Sequence, residues 1–132
     1  MLTKARTTAL TLALAALAAA PSAALAKHGA DDAPGKRIAG SCTDGSTAKL
    51  KVKPDDGRLE LEWEVDQNRS GVTWSVRVRR DGELVVRRSA TTHAPSGSFS
   101  VEKRIADPAG SDRIAARATS PSGEVCTASL TI

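Results

Sequence analysis

No tyrosine occurs in the 132 residues, and the aromatic complement is two tryptophans and one phenylalanine. Proteins that hold single-stranded nucleic acid lay bases on exposed aromatic rings. So few rings cannot supply both such platforms and a core, and nucleic acid is not expected as a partner. Histidine is almost as scarce, with only His28 and His93. Cysteine is confined to Cys42 and Cys126, without a CxxC spacing. Two lone thiolates with no neighbouring histidine do not assemble a tetrahedral zinc site. In an oxidising compartment such a pair reads as a structural disulfide. A closed loop of roughly 80 residues would stabilise the fold by about 4 kcal/mol in the chain-entropy account.

An apolar run long enough to cross a membrane, roughly 20 residues, is also missing. From Ala9 to Ala20 the chain is almost wholly alanine and leucine, but Pro21 and Ser22 end the run. Lys4 and Arg6 precede it, and Ala24-Leu25-Ala26 follows it. A basic head, a short apolar stretch and a small-x-small exit form a secretory leader. Residues 1–26 are therefore expected to be a signal peptide, with cleavage after Ala26 and no membrane span afterwards. Ala39-Gly40-Ser41 ahead of Cys42 lacks the leucine of a lipoprotein signal. Lys4 and Arg6 leave with the leader while all 15 acids stay, which lowers the formal charge from +4 to +2. That is too little to suggest a nucleic-acid binder. Residues 27–132 suit one domain, expected to be extracellular and monomeric.

The search for catalytic chemistry ends quickly. His28 falls in the Gly-, Pro- and Asp-rich lead-in KHGADDAPGK (residues 27–36), expected to be disordered. His93 follows Thr91 and Thr92, but adjacent positions rarely give a nucleophile and base their geometry, and no third group is suggested. Asp55-Asp56 reads as a turn. Asp107 and Asp112 flank Pro-Ala-Gly-Ser, and neither loop approaches the six or so oxygens that calcium takes. There is no glycine-rich phosphate loop. The chain is not expected to be an enzyme or to carry a cofactor or metal.

What is present is alternation. Leu50 and Val52 alternate with Lys49, Lys51 and Lys53, and Leu59, Leu61, Trp63 and Val65 with Glu60, Glu62 and Glu64. Val72, Trp74, Val76 and Val78 alternate with Thr73, Ser75, Arg77 and Arg79. Period-two runs between turn residues are half-buried strands. Asp55-Asp56-Gly57, Asn68-Arg69-Ser70-Gly71 and Asp81-Gly82 supply the turns, the last being a strong hairpin signal. Further strands are expected at 83–89, 97–105, 112–119 and 126–132, with a short first one from Ile38 to Cys42. The class is all-β: an antiparallel two-sheet sandwich of about seven strands over residues 37–132, stapled by Cys42–Cys126.

Seven short strands, Trp74 in a central one and a closing hairpin at Pro121-Ser122-Gly123 resemble an immunoglobulin-like or fibronectin type III-like sandwich. Trp74-Ser75-Val76, Ser96-Gly97-Ser98-Phe99 and Gly123-Glu124-Val125-Cys126 resemble segments of small secreted actinobacterial proteins of unassigned function. Two features depart from the sandwich families. A chain without tyrosine has no tyrosine corner, and these cysteines lie near the ends of the domain rather than on its central strands.

Charge supplies the remaining functional signal. Lys49, Lys51 and Lys53 would face Glu60, Glu62 and Glu64 across a hairpin, a structural use of charge. Arg77 and Arg79 point outward from the Trp74 strand, Arg113 and Arg117 from the Ile114 strand. The resemblance makes those strands neighbours, so four guanidiniums would share one face. Arg80, Arg87 and Arg88 lie near the adjoining hairpin, with Asp81 and Glu83 to offset them. Guanidinium forks match phosphate and carboxylate, so the expected partner is an anionic cell-envelope polymer or an extracellular protein. The bland alternative is a solvated face that keeps strands from pairing with other chains. An enzyme inhibitor presenting Ala90–Ser96 or Asp107–Gly110 is the second reading. A carrier for a small apolar ligand is the third, disfavoured because the core needs its few large apolar residues.

Overall fold

The computed structural model describes residues 34–132. The expected leader, His28 and residues 27–33 lie outside the described residues. Nine strands form: β1 (Lys36–Ala39), β2 (Ser41–Cys42), β3 (Thr47–Asp55), β4 (Arg58–Asp66), β5 (Thr73–Arg80), β6 (Glu83–Thr91), β7 (Ser98–Ala106), β8 (Arg113–Thr119) and β9 (Val125–Thr131). No helix occurs among the described residues. The strands make two antiparallel sheets, ordered β1-β3-β4-β7 and β2-β9-β8-β5-β6. Taken alone, β3 to β9 give β3-β4-β7 facing β9-β8-β5-β6, the Greek-key connectivity of immunoglobulin-like sandwiches.

Alternation sets which side chains the sheets enclose. Leu50, Val52, Leu59, Leu61, Trp63 and Val65 of the first sheet are buried against Trp74, Val76, Val78, Ile114 and Ala118 of the second. Both tryptophans are fully buried. Trp74 packs on Phe99 with ring centroids 6.1 Å apart, and its Nε1 donates to Gln67 Oε1 at 3.1 Å. The β3–β4 and β5–β6 hairpins turn on Asp56-Gly57 and Asp81-Gly82, with positive φ at both residues of each pair. That is the geometry a two-residue type I′ turn requires, and it holds the register up to the turn.

The stretch expected as a single strand from Ile38 to Cys42 is two. β1 pairs with β3 in one sheet and β2 with β9 in the other. The switch occurs at Gly40, where a Cβ would come within 2.9 Å of the Ala48 Cβ and 3.2 Å of the Trp63 ring. Only a residue without a side chain lets the crossover lie that close to the core. β1 also starts at Lys36, one residue inside the expected lead-in.

Cys42 and Cys126 are bonded and face each other directly across β2 and β9. The bridge therefore ties neighbouring strands of one sheet, whereas the antibody-type disulfide joins two sheets. It anchors the crossover together with Glu124. This buried carboxylate accepts backbone N–H bonds from Asp44 (2.9 Å) and Ser46 (3.0 Å) and the Ser46 hydroxyl.

At the opposite end two loops interlock. Thr92 is buried; its hydroxyl donates to Arg69 O at 2.6 Å and accepts from Val72 N at 3.0 Å. Gly97 donates to His93 O, accepts from Gln67 N, and presses on the Asn68–Arg69 backbone with φ at 73°.

Two stability predictions follow from these clasps. A Cβ at Gly97 would lie 2.2 Å from Arg69 N, whereas Gly45 has open space at a similar φ of 84°. Gly45→Ala should cost the strain of a left-handed residue, about 1–2 kcal/mol. Gly97→Ala adds a backbone overlap and should cost at least about 3 kcal/mol by urea denaturation; equal costs would refute the interlock. Replacing both cysteines by serine should lower stability by roughly 4–5 kcal/mol for a sequence separation of 84. Reductant should produce the same loss in the native protein and none in the variant.

Candidate functional site

The outer faces of the two sheets use charge in opposite ways. On the first, Lys49, Lys51 and Lys53 stand opposite Glu64, Glu62 and Glu60. The three ion pairs measure 3.4, 2.8 and 3.4 Å. Arg104 adds a fourth contact to Asp55 at 2.7 Å. These partly exposed pairs each stabilise the sheet by a few tenths of a kcal/mol, and together they fix the β3–β4 register.

On the outward face of the second sheet no such pairing occurs among the described residues. Burial of Trp74, Val76 and Val78 leaves Thr73, Ser75, Arg77 and Arg79 of β5 pointing out. Burial of Ile114, Ala116 and Ala118 does the same for Arg113, Ala115, Arg117 and Thr119 of β8. β5 and β8 are adjacent, and Arg77 stands directly opposite Arg117. The four arginines expected to share a face do so. They line one shallow groove of about 580 Å³, bounded on its far side by Ala39 and Ser41 of the crossover. Arg79 also donates to Gly82 O at 3.1 Å.

A fifth arginine joins them. Arg87 of β6 lies directly opposite Arg77 on its other side. Arg117, Arg77 and Arg87 thus form one row across three strands. A register shift between Val78 and Arg79 hides this in the sequence, because Leu84-Val85-Val86 reads without a phase. Counting back from buried Val86 would have found it. Arg88, its neighbour, falls opposite Val76 at a core-side position and stays exposed because β6 is an edge. Lys103 has the same placement on edge strand β7, opposite Leu61. Arg80 is withdrawn from the face altogether. It contacts Glu83 at 3.4 Å and Asp112 at 3.9 Å, and donates to Ala106 O.

The outward positions of β5, β6, β8 and β9 carry no acid. Within the described residues the guanidiniums of Arg77, Arg87, Arg113 and Arg117 make no ion pair, and the Asp81 carboxylate meets Arg113 only at its backbone N–H, at 2.9 Å. Guanidiniums stay charged at all working pH values and donate only. The arrangement offers an anion several donors on one face.

Other polar groups are committed to structure. Thr92 beside His93 is consumed by the loop clasp, and His93 is exposed at its edge. Asp112 is buried at the end of β8, where its backbone exchanges both hydrogen bonds with Ile132. Burial raises its carboxyl above the ordinary 3.8, Asp81 and Asp107 push the same way, and Arg80 opposes them. A carboxyl with a raised folded value weakens the fold when ionised. The penalty is present at neutral pH and lost as pH falls through the folded value towards 3.8. Asp112→Asn should therefore melt above the native protein at pH 7, with the difference closing towards about pH 4 in calorimetric scans. A constant difference over that range would contradict the assignment.

No protein-family model matches the chain, and neither a curated protein nor a solved structure does.

Proposed function

We propose that this protein is an extracellular, non-enzymatic binding module whose arginine face holds an anionic polymer of the cell envelope. The observation that carries the reading is the acid-free row of Arg117, Arg77 and Arg87 on a sheet whose partner sheet neutralises every lysine of β3. Solubility alone is a weaker account. Edge strands β6 and β7 already carry Arg88 and Lys103 at core-side positions, a device that stops edges pairing with other chains. β5 and β8 are interior strands and need no such guard. The disulfide agrees with an oxidising, extracellular setting.

An inhibitor is the second reading. Ala90 and Thr91 belong to β6 and Thr92 is clasped, which shortens the first candidate loop to a tight turn. Asp107–Gly110 is exposed throughout and is the better loop for that role.

The test is co-sedimentation of the purified protein with washed cell envelopes across a salt series, beside an Arg77/Arg79/Arg113/Arg117→Ser variant. Screening shortens from about 10 Å at 0.1 M salt to 3 Å at 1 M. Binding should weaken along the series, with log K falling by about 0.7 per decade of salt for each anionic group contacted. The variant should stay in the supernatant. Salt-insensitive binding, or binding retained by the variant, would move attention to the loops.

A further inference from the structure

The row of arginines has a second row beside it. One step along the strands, Thr119, Ser75 and Ser89 stand in the same order on β8, β5 and β6, again directly opposite one another. The six side chains form a two-by-three array of three guanidiniums and three hydroxyls on one outward face. Directly opposed residues bring their Cβ atoms about 5 Å apart. None of the six makes a hydrogen bond or ion pair within the described protein. Arg77, Arg117, Ser75 and Thr119 line an open hollow of about 250 Å³ over the β5–β8 half of the array.

The chemistry of that hollow is narrower than attraction for negative charge. Two forks enter from one side and two hydroxyls from the other, so an occupant meets donors in several directions. A carboxylate is planar, and one fork aligned with it engages both of its oxygens. A phosphate monoester presents three oxygens in three directions and a charge of about −1.5 to −2. It can take a fork on either side and still accept from a hydroxyl. Its charge also suits a place where two guanidiniums are held against each other. Arg77 is central, because it borders Arg117 on one side and Arg87 on the other.

We infer that Arg77 and Arg117, with Ser75 and Thr119, form a phosphate-ester site, and that the polymer held by this face is a phosphate-bearing glycan rather than a polyuronate. The inference rests on the anionic-polymer reading above. Arg77 is the residue that sets the preference.

Dextran derivatives separate the two. Dextran phosphate, dextran sulfate and carboxymethyl-dextran share one backbone, and at equal degree of substitution differ only in the anionic group. Dextran phosphate should bind about tenfold more tightly than carboxymethyl-dextran, the effect of one charge-assisted hydrogen bond. Arg77→Lys keeps the charge and removes the fork, so the variant should bind both alike, near the weaker value. Ser75→Ala with Thr119→Ala, substitutions on an outer face, should reduce the preference for dextran phosphate over carboxymethyl-dextran. Equal binding of phosphate and carboxylate by the native protein would overturn the site, as would tighter binding of dextran sulfate or a preference surviving Arg77→Lys. If no derivative binds, the anionic-polymer reading fails as a whole, a result distinct from equal binding.

Discussion

The register of β5 governs both the core and the candidate site. Burying Trp74, Val76 and Val78 forces Ser75, Arg77 and Arg79 outward, and pairing with β8 and β6 then decides which residues they meet. A slip of one residue would turn the arginines into the core and the tryptophan into water. The hydrophobic term enforcing this is large, since burying side chains of this size contributes about 2–3 kcal/mol each. Repulsion between neighbouring guanidiniums is about 1 kcal/mol when water lies around them. Burial wins, and the arginine row is held on the surface whether or not an anion is present.

The same cross-strand physics runs with opposite sign on the two faces. On the first sheet each lysine of β3 has a glutamate opposite, so charge reinforces register. On the second, like charges stand opposite one another across β8, β5 and β6, where pairing rules disfavour them. A fold under selection for stability alone would not place them so. On the reading proposed above, a bound anion would offset the repulsion that this row adds to the empty fold. Relief of that repulsion adds to whatever the forks gain by hydrogen bonding.

Much of this was legible from alternation. Strand runs around Leu50, Leu59, Trp74, Ile114 and Cys126 and the outward placement of Arg77, Arg79, Arg113 and Arg117 stand where the period-two pattern puts them, the Asp56-Gly57 and Asp81-Gly82 turns where the turn residues do. The pairing of β5 with β8 that gathers the arginines is the one the sandwich resemblance implied. What escaped depends on contacts far apart in sequence. Gly40 reads as an ordinary small residue until Trp63 and Ala48 are packed beneath it. Glu124 reads as a surface acid in a turn, and only the returning β2–β3 loop makes it a buried acceptor. Arg87 was lost at a bulge, because one extra residue in a strand erases the alternation that assigns faces.

The crossover and its disulfide bear on binding as well as on stability. Ala39 and Ser41 form the far wall of the arginine groove, and Ser41 lies next to Cys42 in the short strand that the bridge fixes to β9. A two-residue strand at a sheet edge has little pairing of its own to hold it. Bonded to Cys126 and clasped through Glu124, it becomes part of the same rigid body as β8 and β5. The groove is then shaped before any ligand arrives, and little ordering of the backbone remains to oppose association. A polymer crossing the sheet would meet donors carried on strands spaced about 4.8 Å apart. If the surface holds anions as proposed, selectivity among them would depend on the shape of each as well as on its charge.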